Sequence, residues 1–418
     1  MTRHTIHEYE SNVASYNRAF PFIIRSAKWS TITDTEGKTY IDFFSGAGAN
    51  NYGHNPEPMK QALIEYIEAD GINNSLDMAT EAKFAFIDAF QEILLKPRNL
   101  DYRLQFTGPT GTNAVEAALK LARKNTGRKV IISFRSGFHG VSLGALATTS
   151  NPYFRAVAGV DLNDVYFMDF DSGNIAESIK RLEQQFEEAI NEVGKPAGAI
   201  VECIQGEGGV NVARPEWLVK LRELTEKNGA LLIVDDIQAG CGRSGSFFSF
   251  EESKIVPDIV TLSKSISGYG SPMSLVLIKP QYDIWNPAEH NGTFRGNNHA
   301  FVTAKATLET YWRDDSLMKN VSHLSAMLRQ SFEKIVSSYP ELQLSTRGRG
   351  LLIGLVFKDP DIASQVSKTA FQNGVIIERA GPEDEVLKAM PALTIDEKTL
   401  SKGLDIIAKS VDKVLNKN

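Results

Sequence analysis

The 418-residue chain carries a formal net charge of −6 and is 42% hydrophobic and 23% charged, an ordinary globular balance that excludes a disordered chain. Mild acidity argues against nucleic acid as the main partner, since phosphate binding needs clustered Lys and Arg. No run of 18 apolar residues exists, so no membrane span is expected, and the length calls for a large core divided between two domains.

In chain order, KWSTITDTEGKTYIDFF (28–44) reads as two β-rich runs around a turn at Gly37–Lys38. Residues 1–60 are expected to join a small domain formed mainly by the C-terminus. The stretch 61–315 alternates helical and strand patterns and is expected to be the large domain. NAVEAALKLARKNTGR (113–128) spaces Val115, Ala118, Leu119 and Ala122 as a helical face closed by Gly127. KVIISF (129–134) is a short strand. A helix over 175–194 precedes the strand-like AGAIVECI (197–204), and a helix over 215–229 has Pro215 near its start and Gly229 at its end. ALLIVDDI (230–237), DIVTLSK (258–264) and SLVLIK (274–279) follow as apolar runs. Strands alternating with helices predict an α/β fold with a largely parallel sheet, and ligands in such sheets sit beyond the carboxyl ends of the strands. From 316 to 418 the pattern changes to a smaller α+β domain: a helix near 317–338, β-rich runs at 342–357 and 371–381, and a closing helix after Thr399.

Cys203 and Cys241 have neither CxxC nor metal-ligand spacing, so no disulfide framework and no metal is expected. A reducing cytoplasm is the expected compartment, and the N-terminal MTRHTIHEYE lacks the apolar stretch of a signal peptide.

LLIVDDIQAGCGRSG (231–245) contains a G-x-G-x-x-G spacing at Gly240, Gly242 and Gly245. A dinucleotide-binding loop would place its first glycine at the strand end, open a helix, and find an acid at the end of the next strand. Here DDIQA intervenes, SFFSFEE follows, and the next strand ends in Lys264. The fingerprint fails its context. What remains is Asp235 at one strand end and Lys264 at the next. A lysine in apolar surroundings can lose its proton and attack a carbonyl. Pyridoxal-phosphate chemistry needs such a lysine, an acid for the ring nitrogen and an anchor for the phosphate. TGPTGTNAVEAALKLAR (107–123) offers the anchor: Gly108, Gly111 and Thr112 directly before a helix. The bland alternatives are an ion pair for Asp235 and Lys264 and a plain helix cap for Thr112.

GTNAVEAALKLAR, SGFHG, VECIQGEGGV, VDDIQAGCGRSG, LSKSISG, HNGTFRGN and TRGRGLLIG, in this order, resemble the motifs of class III (ω-amino acid) aminotransferases, which are fold-type I pyridoxal-phosphate enzymes. The resemblance runs from about residue 20 to the C-terminus. It implies the cofactor pyridoxal 5'-phosphate, with Lys264 as the lysine joined to it and the carrier of the substrate Cα proton. Asp235 matches the partner of the ring nitrogen, Gln238 the residue near the ring hydroxyl, and Gly111 and Thr112 the phosphate loop. Phe138 matches the aromatic stacked on the ring, with His139 beside it. Thr293 matches a threonine that reaches the phosphate from the other subunit, so the resemblance implies a homo-oligomer with shared sites. Glu202 and Glu207 match the acids of E-P-x-Q-G-E, although Cys203 replaces its proline. Arg347 matches the arginine that holds the α-carboxylate of glutamate and can pair with Glu207, and Arg349 is its rival. His139 reads equally as a structural hydrogen-bonding residue, and the role of Asp236 stays open.

Val141 stands where many relatives carry a carboxylate-gripping arginine, Asn113 where a glutamate is usual, and Asp236 likewise. These departures, with SGAGANNYGHN, GPTGTNAVEAA, DDIQAGCGRSG and PAEHNGTFRGNNHAFVTA, narrow the resemblance within the family, and the narrower resemblance implies transfer of the amino group of L-glutamate to L-aspartate 4-semialdehyde, giving L-2,4-diaminobutyrate and 2-oxoglutarate, as in ectoine biosynthesis. Another class III reading, in siderophore synthesis or as an epimerase or aminomutase, stays open.

Overall fold

Seven short strands build the central sheet of the computed structural model, which describes residues 9–416. In spatial order they are Arg103–Phe106, Leu275–Ile278, Ile259–Leu262, Leu231–Asp235, Gly198–Val201, Ile131–Phe134 and Val165–Met168. Every neighbouring pair is parallel except those of Leu275–Ile278, which runs against both its neighbours. The mostly parallel sheet read from the sequence is present.

Strand alternation sorts the apolar residues into two cores. Leu231, Ile233 and Ile259 join the cluster under the helix Gly111–Thr126, together with its Val115, Ala118 and Ala122. Leu232, Val234 and Val260 face the larger cluster on the other side, with Phe247, Phe248 and Trp312. Both faces are therefore covered, as a parallel sheet requires. Gly127 ends the Gly111–Thr126 helix in the left-handed conformation at φ 66°, the expected stop. Asn174 caps Ile175–Val193 through the Ala176 and Glu177 amides, and Pro215 opens Pro215–Lys227. The expected strand at 197–204 breaks into Gly198–Val201 and Ile204–Gln205, because the chain turns there to seat Glu202.

Strands Ile24–Lys28, Thr31–Asp34 and Thr39–Asp42 form an antiparallel sheet, and Val375–Ile376 from near the other end of the chain adds in parallel to Thr39–Asp42. Asp34 closes the turn at Gly37 by accepting from the Glu36 and Lys38 amides. A four-stranded antiparallel sheet, Ser345–Arg349, Leu352–Val356, Val386–Ala389 and Glu378–Ala380, packs with helices Ser316–Ser338, Pro360–Gln372 and Glu397–Leu415. The wholly buried Arg243 ties these parts to the central sheet by donating to Asn51 Oδ1, Leu351 O and Pro391 O. No helix among the described residues is long and apolar enough to cross a membrane.

Candidate active site

Beyond the carboxyl ends of the central strands lies a cavity of about 180 Å³ lined by Gly111, Thr112, Phe138, His139, Gly140, Glu202, Glu207, Asp235, Ile237, Gln238 and Lys264. Nine of the eleven residues matched to the family's site in the sequence meet here; Thr293 and Arg347 do not line it. A larger hollow of about 810 Å³ surrounds Arg222, Asp258 and Lys279 at the opposite end of the sheet. Its charges satisfy one another, with Asp258 held by Arg222 at 2.7 Å and Lys279 at 2.8 Å, so the smaller cavity is the chemical one.

Asp235 ends its strand in register with Thr261 of the neighbouring strand. Its Oδ1 accepts from Thr261 Oγ1 and the Ile237 amide, both at 3.2 Å. Its Oδ2 lies 2.7 Å from His139 Nδ1, and both residues are buried. Burial alone would lower the His139 imidazole; the hydrogen bond and charge of Asp235, with Glu202 adding, outweigh it and raise the pKa. His139 is thus a partner of the acid.

Asp236 points to the opposite face, as alternation demands. Fully buried, it accepts from the Ser249 amide at 3.0 Å and stitches the 240–249 loop to the strand. Burial pushes its carboxyl up to about 7. The glycines of 240–245 serve turns: Gly242 and Gly245 lie at φ 91° and 97°, and turns and bends, not an α-helix, follow them up to residue 250.

Lys264 follows its strand in a tight turn at φ 48°, a left-handed conformation that costs a non-glycine residue about 1–3 kcal/mol. Burial lowers its pKa, against the pull of Glu207, which favours the neutral amine a nucleophile needs. Glu202 accepts from the Phe138 amide at 3.0 Å and the Gly206 amide at 3.3 Å, fixing the aromatic loop, and burial pushes it up to about 7.

The residues fit the cofactor implied by the resemblance. The first amides of Gly111–Thr126 have no partner within the helix and border the cavity, making an anion cradle. A Cβ on Gly111 would lie 2.9 Å from Ile237 Cδ1, and one on Gly140 2.5 Å from Thr112 Oγ1, so both glycines keep the cradle open. Gln238 Oε1 is buried without a hydrogen-bond partner, an orphan that a ring hydroxyl would satisfy. Thr112 Oγ1 is 2.6 Å from Ser142 Oγ, which donates to Glu116.

The expected pairing of Glu207 with Arg347 is not formed. Glu207 Oε1 instead accepts from Lys388 Nζ at 2.7 Å and Gln238 Nε2 at 2.9 Å. Lys388 is wholly buried and also lies 3.0 Å from Glu378 Oε2, while Glu378 Oε1 accepts from Tyr16 at 3.0 Å. Burial would raise Glu207, but the Lys388 ammonium foremost, with Lys264 adding, pulls it down to about 2. Arg347 has only a 3.9 Å approach to Glu385, and its buried Nε has no hydrogen-bond partner. Arg349 is occupied, paired with Glu252 and donating to Ser249 O. Both leave Nε without a hydrogen bond, but the outer nitrogens of Arg349 are taken while those of Arg347 make none among the described residues, so Arg347 has more donors to spare. Thr293 is exposed, next to Phe294, which is 65% exposed.

Sequence reading missed Lys388, Glu378 and Tyr16. The signal was there for Lys388: a lone lysine inside the apolar run VLKAM must be buried if that run is a two-faced strand. Nothing local marks Tyr16, which lies 362 residues from its partner.

The aminotransferase class-III family profile matches residues 13–411. The chain is 53% identical over 410 residues to a diaminobutyrate–2-oxoglutarate transaminase of Bordetella parapertussis, covering 97% of this chain and 94% of that one. It is 52% identical over 401 residues to a diaminobutyrate–2-oxoglutarate transaminase of Vibrio cholerae, covering 96% and 98%. Among solved structures it resembles the ornithine aminotransferase of Toxoplasma gondii, with TM-score 0.85, 25% identity and coverage of 99% and 94%; that crystal structure reveals partial occupancy of PLP at the active site.

Proposed function

We propose that this chain, which belongs to the class-III aminotransferase family, moves the amino group of L-glutamate to L-aspartate 4-semialdehyde, giving L-2,4-diaminobutyrate and 2-oxoglutarate. The observation that carries the chemistry is the buried meeting of Lys264, the Asp235–His139 pair and the open helix start at Gly111 in one cavity. The identity to diaminobutyrate–2-oxoglutarate transaminases carries the substrates.

The cofactor is pyridoxal phosphate, which when bound supplies a reactive carbonyl and a protonated ring that withdraws electrons from the substrate Cα. Asp235 would hold the ring nitrogen, Gln238 the ring hydroxyl, the Gly111 and Thr112 amides the phosphate, and Lys264 the carbonyl carbon. Phe138 would cover the ring. The Lys264 amine, whose pKa burial lowers, would take a proton at the substrate Cα and return it at the cofactor's carbonyl carbon, on the other side of the nitrogen. Arg347 would bind a glutamate carboxylate. The exposed Thr293 beside Phe294 supports a homo-oligomer in which Thr293 completes a partner's phosphate site. Two buried free thiols suit a reducing cytoplasm. Ectoine synthesis is the use we favour for the product.

Incubating the holoenzyme with glutamate and the semialdehyde and measuring both products tests the reading. Stoichiometric diaminobutyrate and 2-oxoglutarate are expected. Product formation without glutamate would instead indicate a mutase or epimerase. The protein should be yellow, and Lys264→Ala should lose that absorbance.

A further inference from the structure

A second cavity of about 250 Å³ adjoins the first, and Phe138 and Glu207 line both. A substrate whose carbonyl lies at Lys264 would extend its far end past Glu207 into this chamber. Both hydrogen bonds to Glu207 fall on Oε1. Among the described residues, Oε2 has no hydrogen bond, and the side chain is 29% exposed. Glu207 therefore offers an open carboxylate oxygen at the junction of the two cavities.

The charges around it do not balance. Lys388 brings one positive charge to two carboxylates, Glu207 at 2.7 Å and Glu378 at 3.0 Å, and Lys264, the other amine near them, forms no ion pair with either and has its pKa lowered by burial. Tyr16 holds Glu378 by its hydroxyl, a neutral donor that cancels no charge. Because Glu378 shares the Lys388 ammonium, Glu207 keeps part of its negative charge. Without Glu378, the flexible ammonium could turn wholly to Glu207 and close the pair.

We propose that Glu207 Oε2 is an ammonium subsite that selects carbonyl acceptors bearing a distal cationic amino group, and that Glu378 is a positioning residue that keeps this subsite open by sharing Lys388. This deepens the activity proposed above and rests on it. Aspartate 4-semialdehyde has the required form, with an aldehyde at one end and an α-ammonium at the other. Glutamate has no second ammonium and looks instead to Arg347.

The test compares two acceptors of the same carbon skeleton, aspartate 4-semialdehyde and 4-oxobutanoate, which lacks the amino group. The kcat/KM ratio is measured with glutamate as donor on the holoenzymes of the wild type, Glu378→Gln and Tyr16→Phe. A charge-assisted hydrogen bond contributes roughly 1.5–3 kcal/mol, so Glu378→Gln should lower the preference for the amino-bearing acceptor about tenfold or more, mainly through its KM. Tyr16→Phe should lower it less. The ratio within one preparation does not move with the fraction folded, so a purely structural role for Glu378 leaves it unchanged. An unchanged ratio, or a wild type that prefers 4-oxobutanoate, overturns the inference alone. A wild type that aminates 4-oxobutanoate but not the semialdehyde overturns the activity reading and this inference with it.

Discussion

Replacing Lys388 by methionine removes the one cation that two buried carboxylates share. The ammonium lies 2.7 Å from Glu207 and 3.0 Å from Glu378. At the effective dielectric suited to protein sites, each contact is a gross attraction of about 6 kcal/mol. Desolvation of the ions offsets much of that, but breaking a buried pair by removing one partner leaves an uncompensated charge and costs about 3–5 kcal/mol. The cost depends on pH in a definite direction. In the wild type, Glu207 sits at about 2, so its contribution is whole above the ordinary carboxylate range and is lost only as pH falls toward 2. Lys388 is raised above the ordinary lysine value, so its contribution is whole below that value and is lost only in strong alkali. Glu378 is the exception: burial, with the Glu207 charge adding, raises its carboxyl, so the wild type itself loses some stability as pH rises, and the variant should lose more. In the variant, both carboxylates lose their cation and take up protons readily as pH falls. The penalty should be largest at pH 8 and smaller by more than about 1 kcal/mol at pH 5.5. Urea unfolding of both holoproteins at matched concentration, followed by circular dichroism, measures it. A penalty below about 1 kcal/mol at pH 8, or one equal at the two pH values, would refute the reasoning. Lys388→Arg should recover most of the stability.

Asp235→Ala should nearly abolish turnover, read as kcat, because the acid and its His139 partner both face the cavity. Asp236→Asn should keep turnover, since an amide oxygen can still accept from Ser249; with Asp236 raised to about 7 by burial, this variant should also remove a loss of stability that the wild type shows as pH rises from the ordinary carboxylate range to about 7, seen in thermal melts. Gly140→Ala should weaken cofactor binding tenfold or more in an absorbance titration with pyridoxal phosphate, because the added Cβ meets Thr112 at a backbone φ of 117°. Arg347→Met should raise the KM for glutamate at least tenfold, while Arg349→Met, which breaks contacts to Glu252 and Ser249 O, should lower stability and leave that KM within about twofold.

Where burial follows from local pattern, the sequence was legible. Leu231 to Val234 alternate between two cores, and that alternation alone sends Asp235 and Asp236 to opposite faces. Gly127, Asn174 and Pro215 mark helix ends through backbone chemistry that needs no tertiary context. A parallel strand step places Asp235 and Lys264 at one edge. The sequence by itself thus determined the sheet, the helix starts and which chemical groups stand at the carboxyl ends of the strands.

Only the tertiary structure decided who pairs with whom. Glu207 takes Lys388, 181 residues away, although Arg347 was the expected partner, and Glu378 takes Tyr16 from near the other end of the chain. Arg349 is withdrawn from the site by Glu252 and Ser249. The physical reason is range. Hydrogen-bonded turns and alternating burial are set by neighbours within a few residues, whereas a charge buried in low dielectric is settled by whichever opposite charge the fold brings within about 3 Å, wherever it stands in the chain.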